Sequence, residues 1–178
     1  MDKPLLILDL DETLIFASDK RMEQEPDFIC GPYSIYCRPY LNEFFQEIVT
    51  TFRFGVWTSA TDDYMECVVS NVIPKEIKLE FLFGRRRCTQ VLDPNTGEMK
   101  WIKDLKKIKK KGYTLDRVII VDDTASKLER NYGNLIKVSP WRGSAEDDEL
   151  FYLGKYLNKI SGLSSFRNLD KRFWRKSF

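Results

Sequence analysis

Two pairs of acids stand where chemistry would need them. Asp9 and Asp11 follow the run Leu5-Leu6-Ile7-Leu8, and Asp122 and Asp123 follow Val118-Ile119-Ile120-Val121. Runs of four aliphatic residues read as strands buried on both faces, as in the centre of a parallel sheet. The carboxyl end of such strands is where α/β folds bind ligands. If the two strands are neighbours, four carboxylates meet at one sheet edge, where repulsion and lost hydration destabilise the fold unless a cation joins them. A hard ion such as Mg²⁺, which takes oxygen ligands, answers that need. With a cation holding its charge, Asp9 is a candidate carboxylate nucleophile toward phosphorus. Asp11, two residues on, is then placed to give a proton to the leaving oxygen and later take one from water.

Phosphoryl transfer also needs donors and cations around the equatorial oxygens. Thr58, just after an aromatic strand expected over residues 52–57, offers a hydroxyl and nearby backbone N–H groups. Thr-Ser after a strand more often caps a helix or makes a turn. Lys103 offers an ammonium, but it is one of seven lysines between Lys100 and Lys111, and residue type does not choose among them.

The elements that must position these groups can be read from periodicity. Leu41, Phe44, Phe45 and Ile48 form an amphipathic stripe on a helix opened by Arg38-Pro39. Tyr64, Met65, Val68, Val69 and Val72 share a face of a second helix, with Asp63 and Glu66 spaced as a capping box and Pro74 closing it. Residues 81–83 read as a third strand. Residues 28–30 and 34–37 flank Gly31-Pro32, and residues 89–92 and 99–102 flank Asp93 to Gly97, as two small hairpins. A short lysine-rich helix with Leu105 and Ile108 inward is expected to end at Gly112. A strand over residues 135–138 and a helix from about Glu146 to Ile160 complete the pattern. Alternating strands and helices imply a parallel sheet covered on both faces.

The bulk numbers narrow the class. The chain has 178 residues, 43% of them hydrophobic and 31% charged, and a net charge of +2 that gives no global pull on nucleic acid. No apolar run reaches the roughly 18 to 20 residues needed to cross a bilayer. With no histidine and four well-separated cysteines, zinc patterns of the Cys/His type and imidazole bases are excluded. Those cysteines (Cys30, Cys37, Cys67 and Cys88) read as reduced, which fits an intracellular setting.

The string Asp9-Leu10-Asp11-Glu12-Thr13-Leu14 resembles the first signature of the haloacid dehalogenase (HAD) superfamily, specifically the branch holding the phosphatases of the RNA polymerase II C-terminal domain. Three further motifs follow in that family's order: Val56-Trp57-Thr58-Ser59-Ala60, then Ile102-Lys103-Asp104-Leu105, then Ile120-Val121-Asp122-Asp123-Thr124. The resemblance covers about residues 4–160. It implies a Rossmann-like α/β fold, and the length is that of one domain, residues 1–178, with a basic, aromatic tail at 161–178. It implies that Asp9 is nucleophile and Mg²⁺ ligand, and that Asp11 is general acid/base and gives its carbonyl to the metal. Asp122 is the third ligand and Asp123 acts through a metal-held water. Leu10, Asp11, Thr58, Ser59 and Lys103 surround the phosphoryl group, and Lys103 also offsets the charge of Asp9.

In that superfamily a large cap closes over small substrates. Here the two insertion points, roughly residues 16–37 and 85–102, hold about twenty residues each, too few for a cap domain. An open site fits a phosphorylated Ser or Thr on a protein. Phe28, Tyr33 and Tyr36 either line a groove for it or pack their hairpin. Two alternatives stand beside this reading. Arg85 to Arg87, the lysine helix and the tail would suit a phosphate on a nucleic-acid end, and a chain that kept only the fold would be a binding scaffold. A monomer in the cytoplasm or nucleus, with no membrane partner, is expected.

Overall fold

The computed structural model describes residues 2–94 and 96–178. Its strands are β1 (Leu5–Leu8), β2 (Ile15–Ser18), β3 (Phe28–Cys30), β4 (Tyr33–Cys37), β5 (Arg53–Trp57), β6 (Leu79–Phe83), β7 (Thr89–Leu92), β8 (Met99–Ile102), β9 (Val118–Asp122) and β10 (Leu135–Lys137). Its helices are α1 (Leu41–Ile48), α2 (Asp62–Val72), α3 (Lys106–Lys109) and α4 (Glu149–Ile160). Five strands form one parallel sheet in the order β10-β9-β1-β5-β6. The two aliphatic runs are therefore neighbours, with Leu8 level with Val121 on one side and Val56 on the other.

The run Leu5–Leu8 is apolar throughout because both faces of the sheet are covered. Leu6 and Leu8 join Phe54, Val56, Ile119 and Val121 beneath α1, α2 and α4, while Leu5 and Ile7 pack with Trp57, Val118 and Ile120 against Leu105 and Ile108. The stripe read for α1 is buried, as are Leu150, Leu153, Leu157 and Ile160 of α4. Gly55 interrupts β5 because the Phe81 ring lies across it; a Cβ there would come within 2.4 Å of that ring.

Several local expectations are corrected. Tyr40 takes a left-handed backbone (φ 63°), so α1 begins at Leu41 rather than at Pro39. The N-cap of α2 is Thr61, Asp63 lies within the first turn, and no side chain caps the helix, so there is no capping box. α4 begins at Glu149, later than expected. The first insertion is a three-stranded antiparallel sheet in the order β2-β4-β3, larger than one hairpin. The second is the hairpin β7-β8, whose turn reaches residue 95, outside the described residues.

Two corrections bear on function. Cys30 and Cys67 form a disulfide, closing a loop of 37 residues, and only Cys37 and Cys88 are free thiols. Spacing along the chain could not reveal this, because α2 must first lie against β3. Cysteine usage therefore no longer argues for a reducing compartment. The basic, aromatic segment 161–178 does not lie outside the core. It returns to the core, burying Phe166 and Trp174, with the Trp174 indole donating to the Lys137 carbonyl at 2.8 Å. Lys171 is buried with its ammonium on the carbonyls of Gly133, Phe166 and Leu169. Arg172 pairs with Asp170 and Arg175 with Asp148.

Candidate active site

Register delivers the site to the carboxyl edge of the parallel sheet. Asp9 follows β1 and donates its N–H to the Val121 carbonyl (3.0 Å), which pins it beside Asp122 at the end of β9. Thr58 follows β5 and is tied to the Phe83 carbonyl by its own N–H (2.9 Å). Beyond Asp9 the chain doubles back tightly. The Leu10 carbonyl accepts the N–H groups of Thr13, Leu14 and Ile15, and Glu12 adopts φ 58°. A left-handed backbone at a residue with a Cβ costs roughly 1–2 kcal/mol. Here the Trp141 N–H holds the Glu12 carbonyl (2.8 Å), and Arg38 donates to the Thr13 carbonyl while forking onto both oxygens of Asp147.

The floor of the site is charged and buried. Lys103 places its ammonium 2.8 Å from Asp9 Oδ1 and 2.5 Å from Asp122 Oδ2. It is the one buried member of the seven lysines between Lys100 and Lys111, so packing makes the choice that residue type could not. Lys127 approaches from the other side, 3.0 Å from Asp9 Oδ2, 3.6 Å from Asp122 Oδ1 and 3.8 Å from Asp123 Oδ1. Asp9 is 1% exposed. Burial works against its charge, but the two ammonium groups overcome this and hold its pKa below the usual carboxylate value. Burial and the neighbouring charge of Asp9 push Asp122 upward against the same two lysines.

These acids suit a hard divalent cation. Asp9, Asp122 and Asp123 bring ligand oxygens within 4.8 Å of one another. Asp123 Oδ1 is buried with no hydrogen-bond partner, while its other oxygen takes the Thr124 hydroxyl. Three carboxylates face two ammonium groups here, and a divalent ion offsets the surplus negative charge. The Asp11 side chain is not one of the three that lie close enough to share an ion.

The wall is built differently. The Tyr64 hydroxyl of α2 donates to Asp11 Oδ1 at 2.6 Å. Burial raises the Asp11 pKa, the Tyr64 hydrogen bond pulls it back, and the charge of Asp9 adds to the rise. Two carboxyl groups two residues apart are thus driven in opposite directions, the arrangement that separates a nucleophile from a general acid. Tyr33 of β4 meets the Tyr64 ring edge-on with centroids 5.7 Å apart. An open cleft of about 350 Å³ is lined by Asp11, Tyr33, Ser59, Thr61, Tyr64 and Arg85. Arg85 is anchored there through its Nε on the Ser59 carbonyl (2.7 Å). Tyr36 and Phe28 pack into the insertion instead.

The structure brings together Asp9, Asp11, Lys103, Asp122 and Asp123. Thr58 is buried with its hydroxyl accepting the Ala60 N–H (3.1 Å), and Ser59 lines the cleft. The Leu10 side chain is in the core. Sequence reasoning missed Lys127, Tyr64 as the partner of Asp11, and the Arg38 clamp. Lys127 carries no periodic signal, and Tyr64 reads as one more aromatic on a helix face.

Comparison with known proteins agrees with this geometry. The NLI interacting factor-like phosphatase family matches over residues 4–167. A CTD phosphatase-like protein, 355R, of Invertebrate iridescent virus 3 is 31% identical over 87% of this chain and 95% of its own length. CTD small phosphatase-like protein 2 of Dictyostelium discoideum is 27% identical over 91% of this chain but only 28% of its own. The carboxy-terminal domain RNA polymerase II polypeptide A small phosphatase 1 of Homo sapiens is 25% identical over 90% of this chain and 60% of its own. The structure of Fcp1, an essential RNA polymerase II CTD phosphatase, superposes with a TM-score of 0.60 at 20% identity, over 98% of this chain and 52% of that one, which supports the fold. With the four motifs at one sheet edge and a match over nearly its whole length, the chain belongs to the NLI interacting factor-like phosphatases, within the HAD-type branch that includes the C-terminal-domain phosphatases.

Proposed function

We propose that this chain, working as one domain, is a Mg²⁺-dependent phosphomonoesterase that removes phosphate from phosphorylated Ser or Thr in proteins through an aspartyl-phosphate. The observation that carries the reading is the gathering of Asp9, Asp122, Asp123 and Lys103 at one buried sheet edge, with Asp11 beside them on an open cleft. An Asp9 oxygen attacks phosphorus, the bond from phosphorus to the Ser or Thr oxygen breaks, and the Asp11 proton goes to that leaving oxygen. Asp11, now a carboxylate, takes a proton from the water that attacks the Asp9-bound phosphorus. The acyl phosphate bond breaks, phosphate leaves, and Asp11 is again protonated. The Thr58 hydroxyl, the Lys103 ammonium and backbone N–H groups near Leu10 and Ser59 hold the equatorial oxygens. Asp9, Asp122 and Asp123, with the Asp11 carbonyl, would hold Mg²⁺, which when bound supplies positive charge beside the phosphoryl oxygens and Asp9.

The protein substrate rests on access. The insertions are a three-stranded sheet and one hairpin, and the cleft beside Asp11 is open, with Tyr33, Tyr64 and Arg85 among its lining residues. A side chain carried on a peptide can enter there. Phosphopeptides, oligonucleotide 3′- and 5′-phosphates and sugar phosphates, assayed at fixed salt, test this. The expected result is Mg²⁺-dependent release from the phosphopeptides, absent in Asp9→Asn. Preference for oligonucleotide phosphates would move the reading to nucleic acid, equal turnover of sugar phosphates would reject the open site, and no turnover of any phosphate would leave a binding scaffold.

A further inference from the structure

Lys127 has no part in the chemistry just described, yet its ammonium is the second cation of the floor. It lies in the helical turn Ala125–Leu128 after β9, with its side chain 19% exposed, whereas Lys103 is fully enclosed. The two lysines divide the carboxylates between them. Lys103 takes Asp9 Oδ1 and Asp122 Oδ2; Lys127 faces Asp9 Oδ2, Asp122 Oδ1 and Asp123 Oδ1. The oxygens facing Lys127 belong to the same three residues whose ligand atoms lie close enough to share one ion. An ammonium is a compact point charge with three donors, so it can occupy the focus of three carboxylates much as a metal ion does.

We propose that Lys127 is a built-in competitor of the divalent cation. Its ammonium holds the three carboxylates together when the ion is away and swings toward solvent as the ion enters. Binding of one weakens the hold of the other on the same oxygens, which is a reciprocal coupling. The geometry permits the exchange from this lysine alone. Lys127 sits on a short turn at the partly open side of the site, and its Nζ has the three aspartates as its charged partners among the described residues. Lys103, enclosed and fixed through its backbone N–H to the Lys127 carbonyl (2.7 Å), stays with Asp9 and Asp122. The site thereby trades metal affinity for a floor that stays assembled without metal.

The inference rests on the metal site of the proposed function, and the test separates the two. Mg²⁺ is titrated calorimetrically into the full chain and into Lys127→Met. Affinity is expected to rise about tenfold in the variant, while its metal-free melting temperature falls and its stabilisation by Mg²⁺ grows. Equal or weaker affinity in a folded variant overturns the competition alone; no binding to either protein overturns the metal site with it. Should Lys127→Met fail to fold, the wild-type chain still answers. Acetylation of Lys127 by an N-hydroxysuccinimide ester, followed by mass spectrometry, is expected to speed up on adding Mg²⁺ while Lys103 stays protected. Slower or unchanged labelling of Lys127 would overturn the proposal.

Discussion

The floor and the wall of this site meet at Asp9 and Asp11, and they are held by different physics. The floor is an extension of the core. Asp9, Asp122 and Thr58 leave strands whose register is locked, because a slip of one residue would turn every aliphatic side chain of β1 to the wrong face. Its charges are buried and close, and each answers another. The wall comes from an inserted sheet and the first turns of α2. A disulfide, an edge-on tyrosine pair and one hydrogen bond to Asp11 join those pieces. The floor is therefore built for chemistry that tolerates little movement, and the wall for contact with whatever carries the phosphate.

Substitutions can break or sharpen that contrast. The largest effect is expected from Asp9→Asn, which removes the nucleophile and should cost on the order of 10⁴-fold or more in kcat with the fold retained. Steady-state assays with an aryl phosphate check it. Lys103→Met comes next. It leaves Lys127 as the one ammonium shared by the buried Asp9 and Asp122, so activity should fall by about 10²–10³-fold and stability by up to roughly 3–5 kcal/mol in denaturant melts.

Tyr64→Phe probes the hinge between the two regions. Burial raises the Asp11 pKa and the Tyr64 hydroxyl lowers it. Without that donor the carboxyl should rise further, so the alkaline limb of kcat/KM, where the general acid loses its proton, moves to higher pH. The rate should drop about tenfold, well short of the roughly 10²–10⁴ that acid–base catalysis can contribute. The smallest effect on chemistry is expected for Cys30→Ser combined with Cys67→Ser. Opening a loop of 37 residues should lower stability by about 3–4 kcal/mol. It should raise KM for phosphopeptides while leaving turnover of an aryl phosphate nearly unchanged. If aryl phosphate turnover collapses as well, the wall is part of the catalytic machinery and the contrast fails.

The same division explains what could be read from the sequence. The floor announces itself because buried parallel strands leave continuous aliphatic runs, and acids after them have no core role; Asp9, Asp11, Asp122 and Asp123 were visible for that reason. The stripes of α1 and α4 were equally plain. Lys103 needed a family resemblance to stand out, and Lys127 was not seen at all, because which of several lysines turns inward is decided by packing. The wall was mostly illegible. The bond between Cys30 and Cys67 and the reach of Tyr64 to Asp11 both depend on α2 lying against the inserted sheet. The segment after Ile160 reads as a basic, aromatic tail outside the core; Phe166 and Trp174 instead belong to it.

The assignment of Asp9 as the residue that carries phosphorus is tested most directly by trapping it. Enzyme mixed with a phosphopeptide is quenched in acid within one turnover, reduced with borohydride and mapped by mass spectrometry. Reduction turns an aspartyl-phosphate into homoserine, so homoserine at position 9 and nowhere else is the expected result. Phosphate released with no reduced residue, or with the mark on Asp11 or Asp122 instead, would contradict the account.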